Sequence, residues 1–187
     1  VEGIEAGLPA SAWPVWTASN HDAGRLTTRW AGGDERKARI ALMLLLGLRG
    51  TPFLYAGDEI AMPDGVVPEE RERDPVARRT GDPSQGRDGC RTPMQWAPGP
   101  GAGFTTPEAE PWLPIGDAAA CNVADQRADL GSVLNLVHDL IALRRAEPDL
   151  HAGSYTTLAA PDGAWVWRRG GGHVVALNLS DAPVVVD

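Results

Sequence analysis

Asn20-His21-Asp22, with Arg25 three residues on, bring an amide, an imidazole, a carboxylate and a guanidinium into one short stretch. Standing at the end of an apolar run, such a cluster suits acid–base work or the binding of hydroxyl groups. A carboxylate beside an imidazole can take the adjacent donors and acceptors of a diol. Turn and loop capping use the same residue types, so both readings stand for the tripeptide alone.

The elements that must position this cluster are legible around it. Residues 15–19, "VWTAS", are apolar, aromatic and β-branched and follow Pro14, which predicts a short buried strand. Asp34-Glu35 open a helix over 34–49 with a capping residue and acid in the first turn. Its second half is apolar nearly all round, so it packs on more than one side. Gly50-Thr51-Pro52 end it, and "PFLYAG", residues 52–57, reads as a second buried strand. Strand, helix and strand in this order make a βαβ unit with parallel strands. Polar groups follow both strands: Asn20-His21-Asp22 after the first, Asp58-Glu59 after the second. In α/β proteins, sites gather at the carboxyl ends of parallel strands.

Residues 63–130 form a long segment rich in Pro, Gly and charge. Long loops within a domain are usually functional. Trp96, Phe104, Trp112 and Leu113 are expected to anchor it, which argues against a disordered linker. An amphipathic helix follows over 130–147, with Val133, Leu136, Val137, Leu140 and Ile141 on one face. Arg144 and Arg145 suit its C-terminal end, and Pro148 stops it. From 151 the period becomes two, with turns at Asp162-Gly163 and Gly170-Gly171-Gly172. This predicts antiparallel strands opening a separate β domain over 151–187, the final "APVVVD" included.

The 187 residues carry a net charge of −8. That speaks against nucleic acid or an anionic membrane as partner, since both call for a basic face. The apolar run 40–46 is too short to span a bilayer. Seven Trp stand against two Tyr and two Phe. Trp supplies stacking platforms in ligand sites, but core and loop packing is the default for most of them. Cys90 and Cys121 lack zinc-site spacing and read as reduced thiols of a cytoplasmic protein; the alternative is a bridge between two loops. His138, His151 and His173 match no functional motif. "VEGIEAGLPASAWP" has no signal-peptide pattern, and both ends read as cut from something longer.

Three stretches resemble the α-amylase superfamily of glycoside hydrolases, in its oligo-1,6-glucosidase and α-glucosidase branch. "SNHDAGR" looks like the motif ending the seventh barrel strand, and "RGTPFLYAGDEI" like that of the eighth. "GRDGCRTPMQW", followed by "GAGFTT" and "PWLP", looks like the long loop after the eighth strand and is the most specific of the three. The resemblance implies an α/β fold: the C-terminal part of a (β/α)8 TIM barrel, its last two strands and helices, then the start of an antiparallel all-β domain. Residues 1–150 would belong to the barrel, the loop 63–130 included.

What the resemblance implies chemically is a retaining α-glucosidase acting on oligosaccharide α-glucosides, with no cofactor or metal read from this segment. Asp22 matches the third acid of that family, which holds two ring hydroxyls and stabilises the transition state without being nucleophile or proton donor. His21 is the hydroxyl-binding imidazole beside it. Arg91, or else Arg87, resembles the arginine that pairs with an Asp at the pocket floor of exo-acting members; a salt bridge internal to the loop is the competing reading. Arg25 contacts substrate or braces the loop, while Asn20 and Glu59 stand as structural neighbours of the site. Trp96 and Phe104 line the pocket mouth or pack the loop. Matches to the strands carrying nucleophile and acid are absent from the sequence, so the chain by itself is expected to be inactive and to need the N-terminal barrel portion. Isomerases and transglycosylases of the trehalose or isomaltulose synthase type share the same acids, and a non-catalytic binding subunit is the third alternative.

Overall fold

The computed structural model describes residues 1–9 and 11–186. It opens with a helix absent from the sequence reading, α1 (Glu2–Gly7). Two glycines and no apolar period hide it; Glu5 secures it by accepting a hydrogen bond from Arg49 at 2.8 Å. β1 (Val15–Thr17) comes next, then α2 (Leu26–Arg29), α3 (Glu35–Gly47) and β2 (Thr51–Phe53). The strands pair in parallel, Val15 opposite Thr51 and Thr17 opposite Phe53. Asp34 starts α3 by accepting the Arg36 N–H at 2.8 Å.

Two expectations for this unit need correction. Both strands are three residues long, shorter than the apolar runs. They are also not buried: Val15 and Phe53 are 59% and 57% exposed. Apolar, β-branched composition encodes a strand with covered faces, but the cover must come from other elements, and here each strand has only the other as a partner among the described residues. α3 behaves as read, with Ala38, Leu42, Leu45 and Leu46 buried and its other apolar side chains half-buried.

The long segment is ordered by short pieces: 3-10 turns, α4 (Pro75–Thr80) and α5 (Val123–Ala128). Its anchors differ from those expected. Leu113 is buried, but Trp96, Phe104 and Trp112 are exposed. The loop is instead held by polar bonds that composition hides. Gln95 is buried, and its amide donates to the carbonyls of Asp117 and Cys121 at 2.8 and 2.5 Å. Ile60, Met62 and Val123 form a small core with Met94, Cys121 and Leu134 against it.

α6 (Val133–Ala146) follows, and Pro148 both ends it and serves as the first residue of α7 (Pro148–Ala152). Arg144 faces inward rather than merely completing a helix end: its guanidinium donates to the carbonyls of Leu46, Leu48 and Gly50. β3 (Tyr155–Leu158), β4 (Ala164–Arg169) and β5 (His173–Asn178) form an antiparallel sheet with turns where Gly163 and Gly170 have positive φ. The closing apolar run is not a strand over the residues described, and Asp187 lies outside them. It follows a Ser-Asp-Ala turn and finds no strand partner there.

The chain divides into two compact units, one of Val1–Thr17, Leu42–Phe53 and His138–Asp187, the other of Ala18–Ala41 and Leu54–Val137. Cys90 and Cys121 are free thiols, and burial pushes the Cys121 thiol up to about 11. Among the described residues, no helix is long and apolar enough to cross a membrane.

Candidate active site

All the side chains singled out for chemistry lie in the second unit. The chain turns directly after Ser19: the Asn20 side-chain oxygen accepts the Asp22 N–H at 2.8 Å, an Asx turn. Ser19 is buried and its hydroxyl donates to Asp58 Oδ1 at 2.5 Å, while the Tyr55 N–H donates to Asp58 Oδ2 at 2.9 Å. Asp58 thus ties the segment that follows β1 to the one that follows β2. Burial raises the pKa of its carboxyl above the ordinary value, against the opposing pull of these hydrogen bonds. Glu59 closes the neighbouring turn by accepting the Gly57 N–H at 2.8 Å. Gly57 has φ 102°, and a Cβ there would stand 2.5 Å from Arg25 Nη1, so the position requires glycine.

Arg25 is buried inside this frame, with both terminal nitrogens engaged and Nε left without a hydrogen-bond partner. Its guanidinium donates to the carbonyls of Ala56 and Thr92 at 2.5 and 3.2 Å and lies 5.1 Å from the Tyr55 ring centre. Its backbone N–H donates to Asp64 at 2.8 Å. This is the geometry of a brace.

Asp22 is different, with its side chain 54% exposed. Both arginines of "GRDGCR" converge on one of its oxygens. Arg87 Nη1 and Arg91 Nη2 donate to Oδ1 at 2.7 and 3.0 Å. Oδ2 faces the exposed imidazole of His21, with Nε2 at 3.4 Å. Arg91 Nε also donates to the His21 carbonyl at 2.8 Å, which seats the tripeptide on the loop. The Arg87 hydrogen bond foremost, helped by the neighbouring His21 and the Arg91 hydrogen bond, holds the Asp22 carboxyl below its ordinary pKa against the opposing effect of desolvation. The result is an exposed, ionised carboxylate with one oxygen held by two cations and the other facing an exposed imidazole.

Sequence reasoning missed the carboxylate behind Arg87. Asp74 is buried and accepts Arg87 Nε at 2.6 Å and Arg87 Nη2 at 3.0 Å, a two-pronged pair. It also accepts the N–H groups of Val76 at 3.0 Å and Arg87 at 2.8 Å. These donors, Arg87 foremost, hold Asp74 far below the usual carboxylate range, and the same pairing drives the Arg87 pKa upward. Asp88 is buried in turn and accepts the N–H groups of Arg73 and Asp74 at 2.6 and 2.8 Å. The available signal was Asp74-Pro75, an N-cap acid followed by proline at the first helical position. Trp96 and Phe104 stand 48% and 51% exposed. Among the described residues, no group of three or more His, Cys, Asp or Glu side chains is placed to hold a metal ion.

With this geometry in view, comparison with known proteins identifies the lineage. The alpha amylase catalytic domain matches residues 2–153. The chain belongs to the α-amylase family of glycoside hydrolases. This α-amylase-family chain is 39% identical over 145 residues to a probable α-glucosidase of Rhizobium meliloti (strain 1021), a match covering 75% of the chain and 26% of that protein. Among solved structures it resembles the α-glucosyl transfer enzyme XgtA, with a TM-score of 0.87 at 37% identity over 96% of this chain and 34% of that one. It also resembles the trehalulose synthase MutB from Pseudomonas mesoacidophila MX-45, with a TM-score of 0.85 at 25% identity over 95% and 36%. The chain thus spans about a quarter to a third of the length of the proteins it matches.

Proposed function

We propose that this chain is the C-terminal portion of the (β/α)8 barrel of a retaining α-glucosidase, residues 1–150, with residues 151–187 opening its antiparallel β domain. The observation that carries the reading is the Asp22 carboxylate, exposed, ionised and pinned by two arginines through Oδ1 alone. Oδ2 is the acceptor for two ring hydroxyls of the sugar whose bond breaks. His21, 3.4 Å away, shares in binding those hydroxyls. Charge-assisted hydrogen bonds to the 2-hydroxyl strengthen as the ring becomes oxocarbenium-like, which lowers the barrier.

Retaining hydrolysis needs a nucleophile and an acid/base about 5 Å apart. Asp22 is neither. Both come from barrel segments outside this chain, so the chain alone has no turnover on an aryl α-glucoside. Among the described residues, Arg91 spends Nε on the His21 carbonyl and Nη2 on Asp22. Its Nη1 is left to meet the pocket-floor carboxylate that closes the pocket to single glucose units. Arg25, Asn20 and Glu59 serve as braces of this arrangement rather than as sugar contacts.

In the full-length protein, Asp22→Asn is expected to lower kcat about a hundredfold or more while the protein stays folded. Near-normal kcat would refute the assignment, and absence of glycosidase activity in the unmutated full-length protein would favour a binding subunit. A second reading, transfer of the glucosyl group to a sugar instead of water, is favoured by the 37% identity to an α-glucosyl transfer enzyme. Product analysis with sucrose separates the two: hydrolysis releases glucose and fructose in equal amounts, whereas transfer yields new α-glucosides and less free glucose than the sucrose consumed.

A further inference from the structure

An arginine beside an exposed carboxylate normally grips it with two nitrogens, because the fork of the guanidinium matches both oxygens. Arg87 does not grip Asp22 in this way. Its Nε and Nη2 edge is taken by the buried Asp74, at 2.6 and 3.0 Å, and only Nη1 reaches Asp22, at 2.7 Å. Asp74 cannot follow Arg87 outward. The N–H groups of Val76 and Arg87 hold its carboxylate, and the Asp88 carboxylate holds its backbone N–H.

We propose that Asp74 is a positioning residue: by occupying the two-pronged edge of Arg87 it limits Arg87 to a single bond with Asp22 and keeps Asp22 Oδ2 open for the sugar. The inference rests on the reading of Asp22 as the sugar-binding acid. Arg91 reinforces the arrangement without threatening it, because its own Nε is committed to the His21 carbonyl. Asp74 therefore restrains a cation that would otherwise compete with substrate for the same carboxylate. This differs from a loop salt bridge, whose removal would only loosen the loop.

The two roles separate in a mutant cycle on the full-length protein, assayed with an aryl α-glucoside. Asp74→Asn keeps the size and the helix cap but removes the charge, and is expected to lower kcat/KM about tenfold or more, chiefly through KM. Arg87→Gln alone is expected to lose less. The double variant is expected to recover to the level of Arg87→Gln, because the competing cation is gone. A double variant no better than Asp74→Asn, or losses that multiply, would overturn the proposal. Should Asp74→Asn fail to fold, Arg87→Lys decides: a mobile ammonium beside Asp22 is expected to impair KM more than Arg87→Gln, and equal or better performance by the lysine variant overturns the proposal. Asp22→Asn in the same assay tells the two levels apart. Activity near that of the unmutated protein sinks the Asp22 reading itself, whereas a dead Asp22→Asn with multiplicative Asp74 and Arg87 effects sinks only this inference.

Discussion

Four carboxylates within one unit are driven to different chemistry by their surroundings alone. Asp22 and Asp74 are held ionised by arginines, while burial pushes Asp58 the other way. The sign of each pH effect follows. Asp74, depressed in the folded state, contributes stability that is present above the unfolded carboxylate value and is lost as pH falls through its folded one. Asp58, raised on folding, contributes most below the unfolded value and loses that contribution as pH rises through its folded one. In the full-length protein, Asp58→Asn keeps partners for Ser19 and Tyr55 without the buried charge. It is expected to destabilise less than Asp58→Ala, which forfeits about 1–3 kcal/mol by leaving the Tyr55 N–H without its acceptor. The gap between the unmutated protein and Asp58→Asn should narrow as pH rises from about 3 towards neutrality. Thermal unfolding across that range checks it; a gap that widens would show the carboxylate to be a net asset at neutral pH. Asp88 is the fourth, buried and spent on two backbone N–H groups, which shapes the loop.

The C-terminal end of α3 shows how far an element's needs reach along the chain. A helix end leaves carbonyls without partners. Arg144 of α6 donates to those of Leu46 and Leu48, and the Gly47 carbonyl accepts from Arg169 Nη1 at 2.8 Å and Trp167 Nε1 at 3.2 Å. Arg169 also serves the carbonyls of Leu150 and Gly153 at 2.9 and 3.2 Å. Burial first, then the nearby cations Arg144 and Arg49, lower its pKa to about 10. Arg169→Met is expected to cost about 1–3 kcal/mol, chiefly through the Leu150 and Gly153 carbonyls, since Gly47 keeps its bond from Trp167. For a chain of this size that is a fall of several degrees in Tm, about 2–4 °C per kcal/mol. Arg169→Lys should lose less, since one ammonium still reaches some of them. Equal Tm for all three proteins would contradict this account of the helix end.

For the whole molecule, the exposed faces of β1 and β2 matter most. Val15 and Phe53 are more than half exposed, and Trp13, two residues before Val15, is exposed too. Apolar side chains in that state favour association. Produced by itself, the 187-residue chain is therefore expected to self-associate and to leave an aryl α-glucoside unhydrolysed. Light scattering and a turnover assay check both. A monodisperse monomer would contradict the first expectation, and measurable hydrolysis would sink the view of Asp22 as a non-nucleophilic partner.

Residue types and order along the chain were enough to reveal the parallel strand–helix–strand unit, the antiparallel strands with their glycine turns, and the Asn20-His21-Asp22 cluster at the end of the first strand; that Arg87 and Arg91 close on Asp22 itself was not among the readings they offered. Each of those three features is a short-range pattern: a period, a turn signal or a motif with its own spacing. The strands' exposure, the buried arginines at the end of α3 and the Asp74 carboxylate behind Arg87 were decided only in three dimensions. "ERERDPVARR" reads as a run of charge, and nothing local says which acid turns inward to meet a guanidinium thirteen residues later. Burial and long-range ion pairing depend on what folds against a residue, and that is a property of the tertiary structure.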